Sequence, residues 1–262
     1  MKSTVEQIRA RFDNDVERFS NLETGQSATI DAPLVLELIS QAAAATNPGA
    51  TDLLDVGCGA GNYSLKLLQS LPDLNVTLID LSRPMLERAQ QRLRPATKGH
   101  IEVFQGDVRD LDLGEARFDV IVAAAVLHHL RTAAEWEAVF AKFFKALRPS
   151  GSIWISDLIE HSSAAIQEMM WRRYGEYLVG LKDEAYRDTV FAYVTQEDTP
   201  RPLYWQLELL ARTGFREMEV LHMSTTELDG PWWTIPAARS KTPWPTATCN
   251  PAVPSRNGVR VT

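Results

Sequence analysis

The segment Leu53-Leu54-Asp55-Val56-Gly57-Cys58-Gly59-Ala60-Gly61 constrains this chain more than any other. It is an apolar run fit for a buried strand, it ends in three glycines at alternate positions, and a helical pattern follows from Asn62 to Leu71. Glycines at a strand-to-helix turn allow positive φ and let the backbone approach a ligand closely. A dinucleotide-binding turn places its third glycine one residue later, where this chain has Asn62, so the spacing argues against NAD. Taken alone, the loop also reads as a tight turn with no ligand.

Around it the hydrophobic pattern alternates between strand and helix periods. Strand-like runs stand at 53–56, 76–80, 101–104, 118–123 and 152–156, and helical patterns at 62–71, 84–93 and 135–147. Strands separated by helices predict a doubly wound α/β fold with a mostly parallel sheet. Ahead of it, residues 4–20 read as one amphipathic helix, and Asp31 as the N-cap of another with Pro33 in its first turn and Leu34, Leu38, Ile39 and Ala42 on one face. This gives a helical cap over 1–49, a central domain over 50–229 and a Pro-rich segment over 230–262. Within the central domain, 161–199 is a helical insertion after the fifth strand, 206–212 a helix ended by Gly214, and 217–223 an edge strand. The last segment holds a strand at 232–235 and then a tail.

Two acids give the loop chemical meaning. Asp80 ends the second strand-like run, where a carboxylate accepts both hydroxyls of a ribose, and Asp107 follows the third, placed to accept from an exocyclic amine such as that of adenine. Each alone reads equally well as a helix N-cap. Together with the glycines they describe a nucleoside across the carboxyl edge of the sheet.

Charge narrows the partners. The 262 residues carry 27 basic and 34 acidic side chains, a net −7, and the four bases Arg239, Lys241, Arg256 and Arg260 of the last segment face no acid there, so the body is more acidic still. Such a field repels polyanions, which argues against DNA and RNA. Two cysteines, Cys58 and Cys249, make no disulfide framework, and no cysteine and histidine cluster has metal-ligand spacing, so no metal is expected. The charged opening residues lack a signal-peptide pattern, and the most apolar stretch, 120–130, is too short to span a bilayer. A cytoplasmic protein without membrane contact is expected, its oligomeric state open.

The motifs LLDVGCGAGNYSLKLL, DLSRPMLERA (80–89), GDV (106–108), FDVIVAAAVLHHL (118–130), LRPSG (147–151) and LLARTGF (209–215) resemble, in order and spacing, the class I S-adenosylmethionine-dependent methyltransferases. The resemblance covers about 50–223 and implies their Rossmann-like, seven-stranded fold. RFDNDVERF and the insertion are similar to the branch that includes tRNA carboxymethoxyuridine enzymes and bacterial small-molecule methyltransferases. It further implies S-adenosyl-L-methionine as cofactor. Asp55 and the Gly57, Gly59 and Gly61 backbone would cradle its methionine part, Asp80 its ribose, Leu81 and Met85 would flank adenine, and Asp107 with Val108 would bind the amine edge. Ala124 stands where the family often has Asn, which reduces that contact to backbone.

Methyl transfer needs a nucleophile aligned about 3 Å from the methyl carbon and, for a protonated acceptor, a base. His129, beside His128 after the fourth strand, and Asp157 after the fifth are the candidates, against structural readings for each. Trp171, Tyr174, Tyr177, Tyr186, Phe191 and Tyr193 either roof the pocket or pack among themselves. Nucleobase-amine methylation wants an Asp- or Asn-Pro-Pro-aromatic motif after the fourth strand, where Ala123-Ala124-Ala125-Val126 stands, and cytosine-carbon methylation wants a cysteine there. The expected function is methylation of a small-molecule acceptor. The alternatives are a tRNA wobble-uridine enzyme using a carboxylated cofactor, held by Arg187, and a nucleoside-binding module without catalysis.

Overall fold

The structure, a computed structural model, describes residues 2–21, 29, 31–223 and 232–239. Its strands in chain order are β1 (Asp52–Val56), β2 (Asn75–Asp80), β3 (Ile101–Gln105), β4 (Phe118–Ala124), β5 (Leu147–Glu160), β6 (Arg201–Pro202), β7 (His222–Met223) and β8 (Trp232–Ala238). The helices are α1 (Val5–Asn14), α2 (Val16–Ser20), α3 (Ala32–Thr46), α4 (Asn62–Leu68), α5 (Arg83–Leu93), α6 (Ala133–Ala146), α7 (Ala164–Leu181), α8 (Glu184–Glu197) and α9 (Leu203–Thr213). Across the sheet the order is β3-β2-β1-β4-β5-β8-β7, with β6 off this path beside β5. The first five strands pair in parallel, whereas β8 runs antiparallel between β5 and β7. The chain leaves β1 toward β2 on one side and returns to β4 on the other, which opens a crevice at the carboxyl ends of β1 and β4.

Both faces of the sheet are covered, as the continuous apolar strands require. Leu54 and Val56 of β1 with Ile121 and Ala123 of β4 face Trp136, Phe140 and Phe143 of α6 and Leu210 of α9. Leu53, Val120 and Val122 face the other way, onto α3, α4 and α5. Trp136 and Phe140 are wholly buried, and burial of one such side chain stabilises by about 2 kcal/mol or more. Thr132 and Glu135 close a capping box on α6.

Several boundaries differ from the sequence reading. Helix 4–20 breaks at Asp15 into α1 and α2. The cap does not extend to residue 49, because α3 packs into the core through Val35, Leu36, Ile39 and Ala43, while Leu34 is exposed. Asp31 stands at the N-cap of α3 in a left-handed conformation (φ 57°) without a side-chain cap, and its carboxylate lies 3.2 Å from His222 Nε2. β5 runs past Ser156 because Asp157 and Leu158 pair with β8 and Ile159 with β6. The edge strand of 217–223 is reduced to β7 and an isolated bridge from Met218 to Ala237. β8 continues through Pro236, which pairs with Trp154 of β5 and whose carbonyl accepts from Glu219 N at 3.3 Å. The expected tail thus begins after β8, and its residues 240–262 lie outside those described.

The insertion is the helical pair α7 and α8, packed on itself through Tyr174 and Leu178. The N-terminal helix α1 is fastened to the end of α8: Arg11 Nη2 lies 2.8 Å from Glu197 Oε2 and donates to Tyr193 Oη at 3.0 Å, and Ser3 N donates to the Gln196 carbonyl at 3.2 Å. No described helix is long and apolar enough to cross a membrane.

Candidate active site

A cavity opens at the carboxyl edge where β1, β2 and β4 end. Its floor is the glycine loop. Gly57, Gly59 and Gly61 all have positive φ (64°, 49° and 79°), but for different reasons. A Cβ at Gly57 would sit 2.6 Å from Val126 Cγ2, and one at Gly61 would sit 3.1 Å from Ala89 Cβ, so these two serve packing of the loop against β4 and α5. A Cβ at Gly59 would meet no protein atom within 4 Å, because that glycine faces the cavity.

Asp55, Asp80, Leu81, Met85 and Ala124 line the same cavity. Asp80 Oδ2 accepts from Gly59 N and Oδ1 from Ser82 N, each at 2.8 Å, so the carboxylate bridges the loop to the start of α5. Asp55 accepts from Ser64 Oγ at 2.6 Å. Burial pushes Asp55 and Asp80 each up to about 6, with their mutual repulsion adding at Asp55 and the Asp13 carboxylate adding at Asp80.

Asp107 and Val108 do not line this cavity. Val108 is buried in the core under α6, and Asp107 is gripped by Arg109, at 2.6 Å to Nη2 and 3.0 Å to Nε, with Arg109 continuing to Glu135 at 2.8 Å. Against the pull of burial, those bonds hold its carboxyl below the usual range. Asp107, expected at the adenine, thus stands bonded to Arg109 and outside the described lining of this cavity.

A second cavity adjoins the first and shares Phe12, Phe19 and Ala125 with it. Tyr174, Tyr186 and Tyr193 line it, with Val190 and Leu158, so it is largely aromatic and apolar. Trp171 and Phe191, by contrast, pack edge-to-face at 4.7 Å within the insertion. Phe12 and Phe19 of the N-terminal helices escaped the sequence reading, because an aromatic in a short amphipathic helix looks like any buried face.

Between the cavities lies a polar cluster. Asp157, expected to face the cleft, is fully buried and spends its oxygens inward. Oδ2 accepts from Leu127 N at 2.6 Å and His128 N at 3.2 Å, Oδ1 accepts from Leu158 N at 2.7 Å, and His128 Nδ1 also bonds Oδ1. It thus positions the 3₁₀ turn Leu127–His129 rather than meeting substrate. Although burial opposes it, the Asp157 and Asp198 carboxylates raise His128 to about 9. His129 lines the first cavity and is held well below its ordinary value by burial and by His128, Arg11 and Arg131, with the Glu197 backbone the influence favouring charge. These influences favour the neutral ring. Asp198, at the end of α8 and lining the second cavity, is raised to about 6 chiefly by burial. No signal in the sequence marked it, since Asp after a helix reads as a cap. Arg187, offered for a carboxylated cofactor, instead pairs with Asp188 at 2.9 Å on an outer groove beside Gly175, away from both cavities.

The family model described as a methyltransferase domain matches residues 53–151. The chain is 26% identical over 172 residues to the demethylmenaquinone methyltransferase of Lactococcus lactis subsp. lactis, across 64% of this chain and 66% of that protein. It is 30% identical over 139 residues to the dTDP-3-amino-3,4,6-trideoxy-alpha-D-glucopyranose N,N-dimethyltransferase of Streptomyces venezuelae, across 53% of this chain and 54% of that protein. The chain thus spans between about half and two thirds of these relatives. Among solved structures, the N-methyltransferase NodS from Bradyrhizobium japonicum, in complex with S-adenosyl-L-homocysteine, superposes with a TM-score of 0.61 at 17% identity, covering 90% of this chain and 99% of that one. At that identity the likeness is one of fold.

Proposed function

We propose that this chain, whose residues 53–151 match a methyltransferase-domain model, is a class I S-adenosylmethionine-dependent methyltransferase that moves a methyl group from S-adenosylmethionine to a small, largely apolar acceptor. The observation that carries the reading is the pair of adjoining cavities, one floored by the glycine loop and edged by Asp80, the other aromatic, meeting at Ala125.

The residues present fit the cofactor. The space above Gly59 is open to the methionine part, Asp80 keeps lone pairs for a ribose diol beyond its two backbone bonds, and Leu81 with Met85 offers apolar surface to adenine. When bound, S-adenosylmethionine supplies an electrophilic methyl on a sulfonium. The protein's task is then orientation: Tyr174, Tyr186 and Tyr193 hold the acceptor, and Phe12 and Phe19 keep water from the seam. A heteroatom of the acceptor would receive that methyl, the electron pair of the broken carbon–sulfur bond staying on sulfur. Neutral His129, with Asp198 beside it, is placed to take the proton an acceptor releases.

Two relatives named for small-molecule acceptors support that substrate class. Arg187, paired with Asp188 away from both cavities, lends no support to a carboxylated cofactor or the tRNA substrate that would go with it. The test is turnover. Purified protein is offered amines, phenols, thiols and carboxylates with S-adenosylmethionine, and S-adenosylhomocysteine is measured. Release with at least one acceptor class is expected; tight calorimetric binding of the cofactor without release across the panel would leave a binding module instead.

A further inference from the structure

The cluster at the seam of the two cavities holds more donor atoms than proton transfer needs. We propose that His128, His129 and Asp198 bind a divalent transition-metal ion, of the zinc, cobalt or manganese kind, whose open coordination positions face the acceptor.

Geometry comes first. His128 Nε2 lies 3.6 Å and His129 Nδ1 3.5 Å from the same atom, Asp198 Oδ1, and one donor from each residue falls within 4.8 Å of the others. Ligands bonded to one ion at about 2.0–2.2 Å lie roughly 3–3.5 Å apart along a coordination edge. Two of the three edges are close to that length already.

Satisfaction comes second. Both oxygens of Asp198 are buried without a hydrogen-bond partner among the described residues. A buried carboxylate left so costs several kcal/mol unless something pairs with it. The nearby cations are committed elsewhere: Arg11 to Glu197 and Tyr193, Arg131 to the carbonyls of Glu197 and Ser3, and Lys2 to the carbonyls of Thr195 and Asp198. Among the described residues, only the two histidines approach the Asp198 carboxylate within ion-pair distance.

Orientation comes third. Asp157 bonds Nδ1 of His128, which fixes the ring and turns Nε2 toward Asp198. A carboxylate behind a metal-binding histidine is the usual outer support of such a ligand. Two imidazoles and one carboxylate favour first-row transition ions over magnesium or calcium, and three protein ligands leave positions for a further oxygen. His128 and Asp198 line the acceptor cavity and His129 the cofactor cavity, so that oxygen lies where methylation would occur. The ligand class is an acceptor with a phenolic, enolic or alcoholic oxygen. Coordination would acidify that oxygen in place of proton removal by His129, with Asp198 Oδ2 left to take the proton. This last role rests on the methyltransferase reading; metal binding itself does not.

The experiment uses the full chain without an affinity tag, stripped with chelator and then freed of it, and titrated with Co(II) or Zn(II). One ion per chain is expected, with visible Co(II) absorption and paramagnetically shifted imidazole N–H resonances from two rings. Asp198→Asn and His129→Gln should each weaken Co(II) binding at least tenfold, with circular dichroism as the check that both variants fold. Absence of stoichiometric Co(II) binding to the unsubstituted protein, or absence of shifted imidazole resonances, overturns the proposal whether or not the variants fold. So does binding that survives both substitutions. Because cofactor binding and S-adenosylhomocysteine release are read separately, failure here leaves the methyltransferase reading standing, and failure of that reading leaves the metal titration interpretable.

Discussion

Asp80 Oδ2 accepts the backbone N–H of Gly59 at 2.8 Å, so the carboxylate that edges the cofactor cavity also holds the loop that floors it. Two residues that the sequence presents as separate elements act as one unit.

Asp80→Ala should therefore lose more than a ribose contact. Loss of charge-assisted bonds costs on the order of 2 kcal/mol, and the loop loses its tether, so cofactor binding is expected to weaken by tenfold or more. Asp80→Asn keeps an acceptor oxygen for the loop and should do less harm. Calorimetric dissociation constants, with circular dichroism as a check on the fold, decide it; an unchanged constant in the alanine variant would place the ribose elsewhere.

Gly59 and Gly57 should separate cleanly. At Gly59 an added side chain enters open cavity, and the protein bears only the strain of φ +49°, on the order of 1 kcal/mol. Gly59→Val is thus expected to abolish the cofactor-induced rise in Tm while lowering the apo Tm modestly. Gly57→Ala drives a Cβ onto Val126 and should lower the apo Tm more. A Gly59 variant that keeps the full ligand-induced shift would make this glycine a turn residue only.

Cofactor affinity should depend on pH through the cavity carboxylates. Asp80 faces Asp13 and the amides of Gly59, Leu81 and Ser82, and Asp55 faces Ser64 and Asp80; both are raised to about 6. An acceptor of ribose hydroxyls must be ionised, so the dissociation constant is expected to rise roughly tenfold from pH 7.5 to pH 5. For the apo protein the sign reverses. Between about pH 4, where unfolded carboxyls ionise, and pH 6, the folded chain holds protons that the unfolded chain has lost, so this contribution to stability falls as pH rises. Calorimetry at both pH values, repeated with Asp80→Asn, checks the assignment: a profile unaltered by the substitution would acquit Asp80.

Phe12→Ala should weaken both ligands, since its ring lines both cavities. An increase of several-fold is expected in both the cofactor dissociation constant and the acceptor KM. An effect on one alone would mean that the ring closes only that cavity.

The glycine loop, Asp55 and Asp80 were legible because their spacing is local: each sits at the end of a strand whose apolar run is visible in the chain. Asp107 shows where that logic stops, because its position after a strand is visible in the chain while its bonds to Arg109 are not. Asp157 shows the same for burial, which spacing does not report. The cluster of His128, His129 and Asp198 joins a turn after β4 to the end of α8, and only the packing of the insertion brings them together. β8 was half legible, since Pro236 reads as a breaker until one sees that it pairs with Trp154 and that its carbonyl accepts from Glu219 N.

Phe12, Phe19 and Ala125 form a partition common to two chambers, and α1, which carries Phe12, is pinned to α8 through Arg11 and Glu197. A partition shared in this way makes the occupants interdependent. Whichever ligand firms it lowers the cost of ordering for the other, and thermodynamic reciprocity requires each to tighten the other by the same factor. The methylated product and the spent nucleoside would then hold each other back, and the departure of either would loosen the one that stays.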